Sequence, residues 1–126
     1  MLKEKKLTKK RIKQFERRVV RKKFQEWADG VKDRDKRKCI YCGAMKWLNA
    51  HHIIPREIKE FRWDLDNGVS LCPKHHKFSR EFSAHKNSLA FILWFKRHKS
   101  GQYKRLVEKW DAYVHSKTLE LLKEVI

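Results

Sequence analysis

Cys39-Ile40-Tyr41-Cys42 and Cys72-Pro73-Lys74-His75 repeat one spacing, with Cys72 thirty positions after Cys42. Two residues between donors put both on one side of a tight turn, where they can grip a single ion, and Gly43 relieves the backbone behind the first pair. Cys39, Cys42, Cys72 and His75 make a Cys3His set, a closed arrangement typical of structural zinc. His76 and His85 are alternatives for the fourth position, and His75 is preferred because its spacing matches the first pair. Such an ion constrains the fold strongly: everything between Cys42 and Cys72 must loop out and return. It also contributes on the order of 10 kcal/mol to folding in modules of this kind. That matters in a chain of 126 residues with 38% charged residues, whose apolar core must be small.

Three cysteines, an odd number, do not make a disulfide framework and suit thiolates reserved for metal in a reducing compartment, with the cytoplasm as the default. No stretch approaches the ~20 apolar residues of a bilayer span. The basic start MLKEKKLTKKRIK lacks the apolar run and cleavage site of a signal peptide. The net charge of +18 favours a polyanionic partner, and nucleic acid is the natural one. Residues 1–38 hold 17 basic and 6 acidic side chains, so more than half of the excess lies in the first third of the chain.

The apolar residues Ile12, Phe15, Val19, Val20, Phe24 and Trp27 fall at helical spacing, which predicts an amphipathic helix with Thr8 as its N-cap and Gly30 just past its end. Arg17, Arg18 and Arg21 on this basic helix are candidates for the phosphate backbone of DNA, giving affinity without sequence reading. In the middle, Asn67-Gly68 beside the alternating Val69-Ser70-Leu71 predicts a hairpin or a tight loop entering a strand. Pro73 suits the first turn of a helix carrying His75 and His76. Asn87 or Ser88 caps a helix over Leu89–His98, whose run LAFILWF is apolar nearly all round and expected to be buried. Gly101 is expected to break it. Tyr103, Leu106, Val107, Trp110, Tyr113 and Val114 then repeat helically, with Leu121, Leu122, Val125 and Ile126 continuing the face. Phe91, Trp94, Phe95 and Trp110 read as core, not as base-stacking platforms. The expected organisation is one domain over 1–126: a basic helix at 1–30, a metal-bearing core at 39–80 and helices at 88–126.

His51 and His52 are neighbours before Ile53-Ile54-Pro55. On a strand adjacent side chains point to opposite faces, so the two cannot play the same part. His75 and His76, about 100° apart on a helix, can face the zinc and a cleft respectively. The stretches CIYCG (39–43), HHIIP (51–55) and NGVSLCPKHH (67–76) together resemble the HNH endonuclease family. The letters of its name fall on His52, Asn67 and His76, and one departure stands out: His75 replaces the second Cys of the usual CxxC.

The resemblance implies an α+β fold: a mostly helical small domain around a ββα-metal finger, with a structural zinc site. It implies a DNA endonuclease leaving 5′-phosphate and 3′-hydroxyl ends, with His52 as general base and His51 and His76 as ligands of a catalytic divalent ion. Asn67 would tie the hairpin loop through backbone hydrogen bonds and so aim the base. Imidazole titrates near neutral pH, which suits a base, and two imidazole ligands suit Mn²⁺ or Ni²⁺ as well as Mg²⁺. Arg56, Lys74, Lys77 and Arg80 lie close to the motif and are candidates for clamping the scissile strand. The alternative is a zinc-dependent nucleic-acid-binding module without catalysis. Small members of the family work in phage packaging, homing and restriction, which suggests a targeting partner such as a phage terminase, and a monomer or a homodimer.

Overall fold

The computed structural model describes residues 6–125, so residues 1–5 of the basic segment and Ile126 of the C-terminal apolar face lie outside the described residues. Helix α1 (Lys9–Arg34) is followed by strand β1 (Asn49–His52), a 3-10 turn (Leu65–Asn67), strand β2 (Gly68–Leu71), a π-helical turn (Lys74–Phe78), α2 (Ser88–His98) and α3 (Ser100–Val125). The fold is α+β, mostly helical around one two-stranded sheet. The strands are antiparallel, pairing Asn49 with Leu71, Ala50 with Ser70, His51 with Val69 and His52 with Gly68.

This register gives the ribbon two apolar faces. Ala50 packs towards α1, where Trp27, Ala28 and Val31 are buried. Val69 and Leu71 face the other way, into the main core with Cys39, Cys72, Phe82, Phe91 and Phe95. A two-stranded ribbon alone is marginal in water, and helix cover on both sides makes this one stable. The approach of α1 depends on Gly68: a β-carbon there would stand 2.5 Å from Val31 Cγ2 and 2.6 Å from Trp27 Cζ2.

Thr8 caps α1 as expected, its side chain accepting from the Arg11 amide at 3.3 Å. Gly30 does not end the helix. It lies inside it, where a β-carbon would come within 2.9 Å of Leu65 Cδ2, so glycine serves close packing there. The chain leaves the helix at Asp35, which stays tied in by accepting from the Ser70 amide at 2.8 Å. The tight turn into β2 is the 3-10 turn Leu65–Asn67, with Gly68 already extended as the first strand residue, and the segment after Pro73 is one π-helical turn, not a regular helix.

Asn87 caps α2 by accepting from the Ala90 amide at 3.1 Å. The run LAFILWF is not buried all round: Phe91 and Phe95 point into the core, while Leu89 and Leu93 are exposed. The helix is covered on one side only, so residues four apart on its outer face remain in solvent. Gly101 does not break it either. The turn falls at Lys99, and Gly101 lies in the first turn of α3. Early in α3, Gln102 Nε2 donates to the Asp66 and Gly68 carbonyls at 3.0 and 2.9 Å, and Leu106 is buried. Beyond Tyr113 the helix projects with its apolar side chains exposed, as the first half of α1 does. No helix among the described residues is long and apolar enough to cross a membrane.

Candidate active site and metal centres

The knuckle preceding β1 and the turn following β2 bring Cys39, Cys42, Cys72 and His75 together. The Cys39 amide donates to the Ala44 carbonyl at 2.8 Å and closes the knuckle, while Ile40 donates to the Ser70 carbonyl at 3.0 Å and anchors it to β2. Cys42 Sγ and Cys72 Sγ are 3.7 Å apart, and His75 Nδ1 lies 3.3 Å from Cys72 Sγ and 3.9 Å from Cys39 Sγ. A tetrahedron with metal–sulfur distances of about 2.3 Å has edges of about 3.8 Å, so this set could hold one zinc-type ion with little adjustment. Burial pushes the Cys42 thiol up to about 11, with the neighbouring Cys39 and Cys72 adding to it. A bound cation reverses that preference, because it takes the thiolate. His75, not His76 or His85, completes the cluster, as its spacing indicated.

A second cluster lies on the α2 side of the ribbon. His51 from β1, His76 from the π-helical turn and His85 from the loop before α2 have ring nitrogens within 4.8 Å of one another. His76 Nε2 and His85 Nε2 are 3.1 Å apart, and the His51 ring centroid is 5.2 and 5.1 Å from theirs. Burial, reinforced by the neighbouring imidazoles, pushes His51 down to about 3 and His76 down to about 4. Both are therefore neutral at physiological pH, with lone pairs available. Three imidazoles converging in this way could hold a divalent cation, and they leave further coordination positions free.

The sequence named His85 only as an alternative ligand of the Cys-rich site, not as a member of this cluster. This residue follows His76 by nine residues in an irregular segment that has no periodicity. The chain doubles back here, with His85 N–H donating to the His76 carbonyl at 3.0 Å and Ala84 N–H to that of His75 at 2.9 Å.

His52 points to the opposite face of the ribbon, as strand alternation requires. Its ring stacks on Trp27 at a centroid distance of 3.8 Å and an interplanar angle of 7°. Its Nε2 lies 2.9 Å from the Arg62 carbonyl, which can only accept, so Nε2 carries the hydrogen and Nδ1 the lone pair. Partial burial holds His52 below the usual imidazole range, with Arg56 and Arg62 adding to the effect against the Arg62 carbonyl bond. Asn67, fully buried, closes the long loop between the strands: Oδ1 accepts from the Ile54 amide, and Nδ2 donates to the Ile54 and Phe61 carbonyls at 3.0 and 3.1 Å.

All four cleft histidines line one cavity of about 680 Å³, bordered by Lys32, Arg56 and Lys77. A neighbouring groove of about 540 Å³ shares Phe24, His52 and Arg56 with it and adds Lys13, Arg17, Arg21 and Arg62. The cations therefore form a continuous path ending at the histidines. Arg18, Lys74 and Arg80 are exposed and border neither hollow.

The short ribbon, the Cys3His cluster behind it and the histidines before it form a compact module with two groups of side chains that could each hold a metal ion. Residues 39–83 match the family model described as HNH endonuclease. The match stops two residues short of His85. The chain matches no curated protein and no solved structure.

Proposed function

We propose that this protein is a metal-dependent DNA endonuclease in which His52 is the general base. One observation carries the reading: three imidazoles converge in the same cleft as a fourth, His52, whose tautomer is set by a backbone carbonyl. The Cys3His cluster holds zinc and is structural, since four protein ligands leave no open position. His51, His76 and His85 hold the second ion, with Mg²⁺, Mn²⁺ and Ni²⁺ as candidates. That ion would stabilise the charge developing on the phosphoryl oxygens and the leaving 3′-oxygen.

The chain's own groups supply the rest. His52 Nδ1 accepts a proton from a water molecule as that water attacks phosphorus; the P–O bond to the 3′-oxygen breaks, and the departing alkoxide takes a proton from solvent to become the 3′-hydroxyl. Trp27 stacking and the Arg62 carbonyl fix the ring, and Asn67 fixes the loop carrying that carbonyl. Lys32, Arg56 and Lys77 orient the phosphate, while Lys13, Arg17 and Arg21 hold the adjoining backbone without reading sequence. A reducing setting such as the cytoplasm suits the thiolate cluster.

A plasmid-nicking assay with each divalent ion tests the reading. The wild-type protein is expected to cut, and His52→Ala to keep its fold and zinc while losing about 10²–10⁴-fold in rate. DNA binding without cleavage under any of these ions would leave only a zinc-stabilised DNA-binding module.

A further inference from the structure

The second half of α3 plays no part in either metal cluster, and its surface differs from the rest of the molecule. Tyr103, Val107, Trp110, Val114, Thr118, Leu121 and Val125 are spaced 4, 3, 4, 4, 3 and 4 residues apart. At 100° per residue all seven lie within about 40° of one line along the helix. Val114, Leu121 and Val125 are 43%, 63% and 84% exposed, so the distal part of the stripe has no cover within the chain. Its proximal part borders an apolar groove of about 250 Å³, formed by Tyr103, Val107 and Trp110 against Ile53, Ile54 and Ile92.

Two features say what covers it. The first is charge. Residues 107–125 hold three lysines against four acidic residues, in a chain of net +18. Lys117, on the flank of the stripe, is met by Glu120 at 3.5 Å and Glu60 at 3.9 Å. Two copies repel one another over most of their surface but not here, and DNA has nothing to bind here. The second is symmetry. The spacing reads the same in both directions about Val114, which is what a two-fold interface between antiparallel helices requires of a stripe that must match its own reversal.

We propose that the protein is an isologous dimer, formed by antiparallel pairing of α3 with the two-fold axis at Val114. In this pairing Val114 meets Val114 of the second copy, Trp110 meets Thr118, Val107 meets Leu121 and Tyr103 meets Val125. The distal leucine and valine of each copy thereby close the apolar groove of the other. Residues 103–125 give an overlap of about 33 Å. The dimer carries two cleavage sites on one rigid body, and its formation does not depend on the activity proposed above.

Light scattering on the zinc-loaded protein should give twice the chain mass of 15.4 kDa. Leu121→Lys should give one chain mass with unchanged circular dichroism. Val114→Cys, oxidised with glutathione disulfide, should form a covalent dimer with itself. Leu119→Cys, placed off the stripe, should not. A single-chain mass for the wild type overturns the proposal and leaves the stripe to a different protein. So does a dimer that Leu121→Lys leaves intact, or cross-linking at Leu119→Cys in place of Val114→Cys.

Discussion

Asn67 shows how much one buried side chain can organise. It uses its carbonyl oxygen and both amide hydrogens within the loop, bridging Ile54 and Phe61 across a span that otherwise has no regular structure. Asn67→Asp keeps the shape but removes the donors and sets a carboxylate against two carbonyls. An unsatisfied buried group costs about 1–3 kcal/mol, so the melting temperature of the zinc-loaded variant should fall by several degrees. Cleavage should fall with it, because the Arg62 carbonyl moves with the loop. A variant that melts and cuts like the wild type removes Asn67 from this role. The histidines differ in how readable they were. His51 and His52 had to diverge because a strand alternates, and His75 and His76 had to diverge because a helix turns. The place of His85 beside His51 and His76 could not be read, because a chain reversal, invisible to any periodicity, carries it there.

At the scale of elements, α3 is fastened to the 3-10 turn by Arg105 and Lys109 on Asp66, at 3.0 Å each, and by Lys109 on Asp64 at 2.7 Å. The Arg105 hydrogen bond, joined by Lys109 and opposed by burial, holds Asp66 below the usual carboxylate range. The unfolded chain therefore takes up a proton on Asp66 at a higher pH than the folded one. The stabilisation is full above the unfolded value and lost as pH falls through the folded one. Because the cations are largely exposed, its size is about 1 kcal/mol or less. Asp66→Asn should thus melt lower than wild type at pH 7, with the two melting temperatures converging on acidification below about pH 4. Curves that stay parallel would mean the ion pairs contribute nothing.

The elements themselves were legible where a pattern met a cap, as at Thr8 and Asn87. The breaks were not, because Gly30 and Gly101 sit inside helices. Glycine signals both a stop and a close approach, and only the position of Leu65 shows which applies at Gly30. The exposure of Leu89 and Leu93 was hidden for a similar reason: an apolar run does not reveal how many sides find a partner.

For the molecule as a whole, the main core contains two members of the Cys3His cluster, Cys39 and Cys72, so an ion held there would stabilise the same region as the apolar packing. Removal of the Cys3His ion by a strong chelator should abolish cooperative unfolding, seen as lost near-ultraviolet dichroism, with a loss on the order of 10 kcal/mol. Withdrawing only the divalent ion proposed at His51, His76 and His85 should silence cleavage and leave the melting curve nearly unchanged. If zinc-stripped protein keeps a sharp transition, the staple is dispensable. His52 faces α1 and His51 faces the α2 side, so under the proposed mechanism the base and the cation site would be separately adjustable. Substitutions around Phe24 and Trp27 would retune the base and those around His85 the choice of ion, each without rebuilding the other.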